Sequence, residues 1–447
     1  MSPEVPEGRS LRHASADSQL VRALGVRSLA AAIFNYTVGS GIFALPALAV
    51  ARLGTSAPLA YLVCAVIMAL VVLCFAEAGS RVAATGGPYA YVEVALGPLW
   101  GLLAGVLLFL TGLSAGAAVA VLFARSLSSL ATGAPTWLPA TLIVAVIATL
   151  AVVNVRGVRR GARFVELVTL AKLVPLVAFV VFGAAFVDPR NLTWHGTPAV
   201  SSVLGTAGVV IFAFSGIESA LTPSGEVREP ERTVPRASFL ALGAATALYL
   251  AIQWVALGIM GVGLAASETT PLADAAGTFA GPAGRIAIIL GASVSMLGYL
   301  SGNVLAVPRS LFALARDGFL PASLSSVHAR YRTPHVAIVL YALGIGALAL
   351  TGTFEHLAIF ANLTACVLYI LCAVGVLVLR RRDVRASGKP FVVPGGPLVP
   401  LAACVVNAWL IYETVGPADV RGLALAIAAA LLLYLARSSR RARPDFP

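Results

Sequence analysis

Twelve apolar runs follow one another along this chain, and the polar stretches between them are too short to build a domain of their own. A helix satisfies its backbone internally, and about 20 apolar residues carry it across a bilayer. The runs predict an all-α polytopic membrane protein with spans at 28–50, 57–79, 98–123, 137–155, 164–186, 200–222, 237–262, 284–306, 335–352, 357–379, 398–414 and 420–436. Only 11% of residues are charged and 59% are hydrophobic, whereas a soluble chain carries about 25% charge. The mean hydropathy of +0.93 agrees. Residues 1–19 are too long and acidic for the start of a signal peptide. The expected organisation is a cytoplasmic N-terminal segment (1–27), a transport core (28–379), a cytoplasmic loop (380–397), two further helices (398–436) and a cytoplasmic tail (437–447).

The net charge of +12 raises the question of nucleic acid, and its distribution answers it. With the N-terminus inside, 25 of the 31 Lys and Arg lie on the cytoplasmic side and five outside, leaving Lys172 within a span. That asymmetry is the positive-inside rule, so the partner is the lipid bilayer and no nucleic acid is expected. Cys64, Cys74, Cys366, Cys372 and Cys404 all fall in apolar spans without metal spacing and read as small hydrophobes; no metal is expected. Arg outnumbers Lys 29 to 2, a GC-rich bacterial usage, so the Asn191-Leu192-Thr193 acceptor pattern is expected to stay unmodified.

Two spans are interrupted at mid-depth. The first breaks at Gly39-Ser40-Gly41 and the sixth at Ser215-Gly216, with Glu218 just beyond. Unwound backbone is tolerated in a bilayer only where it lines a cavity or is buried in protein. Matching breaks in the two halves of a chain point to a carrier's substrate site. The second half of span one would start with free amides and a positive dipole end, which suits a carboxylate. Carbonyls near Tyr36 and Thr37, and from Phe212 to Ser215, would be free to take an ammonium. The alternative for Gly-x-Gly alone is close helix packing.

Ionisable groups at membrane depth are functional candidates. Lys172 lies inside span five in a chain that otherwise uses arginine, which suggests an amine able to lose its proton; the alternative is a fixed counter-charge held by helix-end carbonyls. Glu218 either holds the break in shape or takes part in coupling. Glu77 and Arg81 are spaced as a local helical pair, and Glu166 is interfacial. Residues 83–96 read as an amphipathic or re-entrant segment or as an ordinary loop, and residues 271–279 as a short surface helix over the outer vestibule. The polar connectors are 223–236, 316–334 and 380–397.

Gly39-Ser-Gly-Ile-Phe43 with Leu45-Pro46 resembles the first-span signature of the amino acid–polyamine–organocation superfamily of transporters. Phe212-Ala-Phe-Ser-Gly-Ile-Glu218 resembles its span-six motif, and Glu226-Val-Arg-Glu-Pro-Glu-Arg-Thr-Val-Pro-Arg236 its following loop. Gly86-Gly-Pro-Tyr89 and Pro308-Arg309 leading to Arg316-Asp-Gly-Phe-Leu-Pro321 match further landmarks.

The resemblance implies a LeuT-like five-plus-five inverted repeat (28–186 and 200–379) with broken helices 1 and 6. It implies alternating-access transport of an amino acid substrate, without a cofactor, coupled to protons or by exchange. By motif position, Ser40 and Gly41 would meet the carboxylate, with Tyr36, Thr37, Gly39, Ala213, Ser215 and Gly216 around them. Phe212 would close over the substrate and Glu218 would link the break to gating. Lys172 would stand where related sodium-coupled carriers hold sodium; by helical face rather than by motif, Ser295 and Tyr299 are the candidates for its span-eight partner. Asn303 stands where one exchanger subfamily has a pocket aromatic, which argues against arginine exchange. Neutral L-amino acids are the favoured substrates, because no carboxylate besides Glu218 is expected in the pocket. A polyamine, another amine or a cationic amino acid is the alternative within transport; a non-transporting nutrient sensor or a channel is the alternative outside it. No enzymatic constellation is present in the sequence, and oligomeric state is not legible from it.

Overall fold

The computed structural model describes residues 24–82, 86–131, 133–156, 172–194, 196–222, 227–267, 269–316, 318–385 and 388–441. These residues are helical, joined by turns, with one isolated bridge between Leu24 and Val227. Span one is α1 (Val26–Thr37) and α2 (Gly41–Leu53), set at 51° across the break. Spans two to five are α3 (Pro58–Arg81), α5 (Pro98–Ser128), α6 (Leu138–Arg156) and α7 (Lys172–Phe186), with the short α4 (Pro88–Leu96) before α5. Span six is α8 (Val200–Val210), a tight turn of helix at Ile211–Phe214 and α9 (Ile217–Ala220). The rest are α10 (Pro230–Met260), α11 (Pro271–Ala306), α12 (Pro308–Arg316), α13 (His335–Thr351), α14 (Phe354–Arg381), α15 (Leu398–Thr414) and α16 (Pro417–Arg441). Among the described residues, eight helical stretches, span six (Val200–Ala220) among them, are long and apolar enough to cross a membrane and the bent α1–α2 pair is a ninth; α7, α13 and α15 are shorter apolar helices.

Proline opens several of these helices, where its missing N–H has no intrahelical partner to lose. α5 and α14 run together through the centre, tied by the Thr111 and Thr364 hydroxyls at 2.9 Å. α16 lies outermost, with Leu425 and Leu432 exposed. Exposed Val66, Val174, Val181 and Leu343 belong to the same apolar outer belt, as lipid contact requires.

Several expected boundaries change. Span seven starts at Pro230, so half of the 223–236 connector is helix. Residues 88–96 form a helix with Pro88 to Val92 buried, which decides against an ordinary loop. The 271–279 helix is the first part of α11, which bends at Gly281 (φ 62°). It is not a surface helix, because Leu272, Ala273, Ala275 and Ala276 are buried. Glu77 and Arg81 do pair, at 3.0 Å, but Arg380 of α14 also reaches Glu77 (2.5 and 2.7 Å), and so does the Val393 amide (2.9 Å). This fully buried carboxylate fastens the segment after α14 to α3. In the loop before span six, hydrogen bonding from the Arg190 side chain holds the Asp188 carboxyl below its usual range. Glu166 lies outside the described residues.

Candidate functional site

α1 ends when the Val38 amide returns to Phe34 and Gly39 N–H turns onto Thr37 O (2.8 Å). The chain re-enters a helix at Gly41, where the first amides have no turn behind them. Ser40, at the N-cap, makes no capping bond, and its buried Oγ meets no hydrogen-bond partner among the described residues. The backbone amides of Ser40, Gly41 and Ile42 have no acceptor there either. The two breaks touch directly. A Cβ on Gly41 would sit 2.8 Å from Ala213 Cα, and one on Gly216 (φ 121°) would sit 2.7 Å from Tyr36 O. Only glycine allows the backbones this close.

Three buried side chains from other parts of the fold occupy the loose backbone. Lys172 of α7, wholly buried, donates to Asn35 O (2.6 Å) and Val38 O (2.7 Å). Tyr249 of α10 places its hydroxyl 2.8 Å from both Thr37 O and Ala213 O, bridging the breaks. Glu218 folds back so that both carboxylate oxygens accept from Gly216 N–H (3.0 and 3.1 Å), and Tyr369 donates to Oε2 (2.9 Å). The start of α9 is therefore filled by its own carboxylate, while the start of α2 is empty-handed. Thr37 O is not free to take an ammonium, contrary to expectation, because Gly39 N–H and Tyr249 already serve it.

A narrow cavity lies between the breaks. Tyr36, Thr37, Gly39, Ser40, Gly41, Phe212, Ser215, Gly216, Glu218 and Tyr299 line it, together with Thr111, Gly112, Ala115 and Val119 of α5, Ser219 of α9 and Ala361 of α14. Its free space of about 20 Å³ holds roughly one water, so a larger ligand requires the walls to part. Phe212 caps it edge-on against Phe354, ring centres 5.7 Å apart. Tyr299 lies against Gly39, and Ser295 Oγ donates to Gly39 O (3.4 Å), not to a group on α7. Two residues expected in the lining are not part of it. Ala213 is spent on the contact with Gly41, and Asn303 is turned to α5 and α13, donating to Gly112 O (3.1 Å) and accepting from Tyr341. The α5 lining and Tyr249 were not anticipated; small residues and a lone tyrosine in apolar helices carry no local signal. Among the described residues, no cluster suited to a metal occurs.

A family model for amino acid permeases matches residues 24–436. The chain belongs to the amino acid permease family. An uncharacterized transporter of Mycobacterium tuberculosis is 32% identical over 92% of this chain and 91% of its own length. The branched-chain amino acid permease of Bacillus subtilis is 25% identical over 94% of each, and the methylthioribose transporter of the same organism 28% over 90% of each. The broken-helix cavity thus sits in a polytopic membrane chain whose relatives are transporters.

Proposed function

We propose that this permease is a secondary active transporter of neutral L-amino acids, working by alternating access and linked to protons or to exchange. The observation that carries it is the start of α2: the amides of Ser40, Gly41 and Ile42 and the Ser40 hydroxyl are without partners among the described residues, and Ser40 and Gly41 line the cavity shared with the second break. A helix N-terminus with vacant donors suits a carboxylate. The carbonyls of Tyr36 and Ser215, two further lining residues, accept no hydrogen bond among the described residues and suit an ammonium. Phe212 would close over the bound zwitterion.

Neutrality follows from Glu218. Both its oxygens are occupied, and no other carboxylate lines the cavity among the described residues, so a cationic side chain would meet no counter-charge. The Lys172 ammonium fills the place a coupling cation would take, which supports proton-linked or exchange transport over sodium coupling. In this reading residues 28–186 and 200–379 are inverted repeats, each opening on a broken helix, and both termini face the cytoplasm with the basic loops. Closing or opening the cavity needs substrate to bind the two states differently.

Uptake by purified protein in liposomes tests this, with labelled amino acids, an amine lacking the carboxylate and methylthioribose as competitor, with and without a pH gradient. Saturable uptake of neutral amino acids, not displaced by the other two, is expected. Preference for an amine or for methylthioribose would overturn the zwitterion reading.

A further inference from the structure

Just past the end of α11, in α12, stands a cation that transport as described so far does not use. Arg309 is the second residue of α12, half-buried, and its Nη1 is withdrawn from solvent with no acceptor. No ion pair or hydrogen bond to its side chain occurs among the described residues. A guanidinium nitrogen kept dry without a partner is costly, and such a group persists where it serves an anion that comes and goes.

Its position suits that. The ground under Arg309 is fixed: Val307 presses on Gly112 of α5, where an added Cβ would lie 2.6 Å from the valine methyl, and Leu314 packs beside Gly105. The wall above it belongs to the other side of the break. Tyr36 of α1 lines the cavity, and its hydroxyl donates to Gly302 O on α11 (3.3 Å). The guanidinium lies within electrostatic range of that same hydroxyl. The Tyr36–Gly302 bond thus ties the cavity-lining Tyr36 to α11 seven residues before Arg309. Moving α1 away breaks that bond and frees Tyr36 from the face of α11 that leads to Arg309.

The geometry points to Arg309 as a second carboxylate station for the amino acid, on the side of the basic loops, reached when Tyr36 leaves Gly302. It rests on the transport reading above. The carboxylate passes from the amides at the start of α2 to the guanidinium, and the partnerless Nη1 gains its acceptor only during passage. Arg309 would set affinity on one face of the membrane and leave the central site unchanged.

The test is side-specific kinetics in proteoliposomes of known orientation, with KM measured for the same neutral amino acid from each face. Arg309→Gln is expected to raise KM on the basic-loop side about tenfold, equivalent to about 1.4 kcal/mol, and to leave KM on the opposite side within about twofold. Arg309→Lys keeps the charge, so it should recover most of the loss and serves as the folding control. Equal shifts on both faces would mean that the arginine supports the fold or an anionic lipid, and would overturn the inference; so would unchanged KM on both. If wild-type protein moves no amino acid at all, the transport reading itself fails and the station falls with it.

Discussion

Replacing Lys172 by Met removes the side-chain donor that, among the described residues, holds the end of α1 to α7, while keeping most of the side-chain volume. Nζ serves two buried carbonyls, Asn35 O at 2.6 Å and Val38 O at 2.7 Å. A buried acceptor left unserved costs about 1–3 kcal/mol, so the variant carries a penalty of about 2–6 kcal/mol as long as α1 stays in place. The carbonyls can escape it by moving to water, which means α1 swinging out toward the basic loops. With a tenfold population change per 1.4 kcal/mol, even the lower figure shifts the balance about 30-fold toward the open form. A cysteine in place of Ile33, 2% exposed in the closed structure, reports this. In a background lacking Cys404, the one native cysteine not fully buried, it should react with a water-soluble maleimide at least tenfold faster in Lys172→Met. The variant should also melt earlier and lose the dependence of uptake on a pH gradient. Equal labelling rates and equal melting would show that α1 is not held by this lysine. Uptake that keeps its response to the gradient would leave the amine a fixed charge.

Gly41→Ala forces a methyl to within 2.8 Å of the Ala213 backbone, an overlap worth about 1–3 kcal/mol of strain, and uptake should show at least a fivefold higher KM. Glu218→Ala strips the acceptor from Gly216 N–H and the Tyr369 hydroxyl and should cost about 2–6 kcal/mol in thermal or denaturant unfolding, whereas Glu218→Gln keeps an acceptor and should cost less than half of that. Arg380→Ala leaves Glu77 with Arg81 and the Val393 amide only; the segment after α14 should then be cut faster by added protease, with KM for uptake unchanged.

The sequence revealed most where chemistry interrupts monotony. Twelve spans stand out because charge is scarce in them, and the two breaks because Gly39-Ser40-Gly41 and Ser215-Gly216 are poor helix formers in apolar surroundings. The two roles weighed for Lys172 included helix-end carbonyls, and it does meet such carbonyls. What stayed hidden depends on distant pairing. Tyr249 is one tyrosine in a long helix, and only folding sets its hydroxyl between carbonyls of residues 37 and 213. Arg380 is 303 residues from Glu77, so the helical spacing to Arg81 gave half of the network. Thr37 failed as a free acceptor for the same reason. Asn303 was assigned from a neighbouring motif position, but the close approach of α11 to Gly112 turns its amide into a helix-to-helix link.

The two breaks resemble each other in sequence yet differ chemically, and that difference bears on substrate direction. Each supplies a helix start with a positive dipole end. At α9 the start is neutralised from within by Glu218, whose carboxylate takes the Gly216 amide. At α2 the N-cap Ser40 makes no bond, and no acidic residue falls in the first turn. An incoming carboxylate would compete with a fixed one at α9 and with nothing at α2. On the proposed transport reading, a zwitterion in this cavity would have one favoured orientation, acid end toward Gly41 and amine toward Tyr36 O and Ser215 O, with its side chain left to Phe212 and the small residues of α5. Placing a carboxylate at the N-cap of α2, as Ser40→Asp would without adding a Cβ at residue 41, should abolish saturable amino acid uptake. An acid at residue 40 offers the α2 amides an internal partner in the place where the substrate would otherwise supply one.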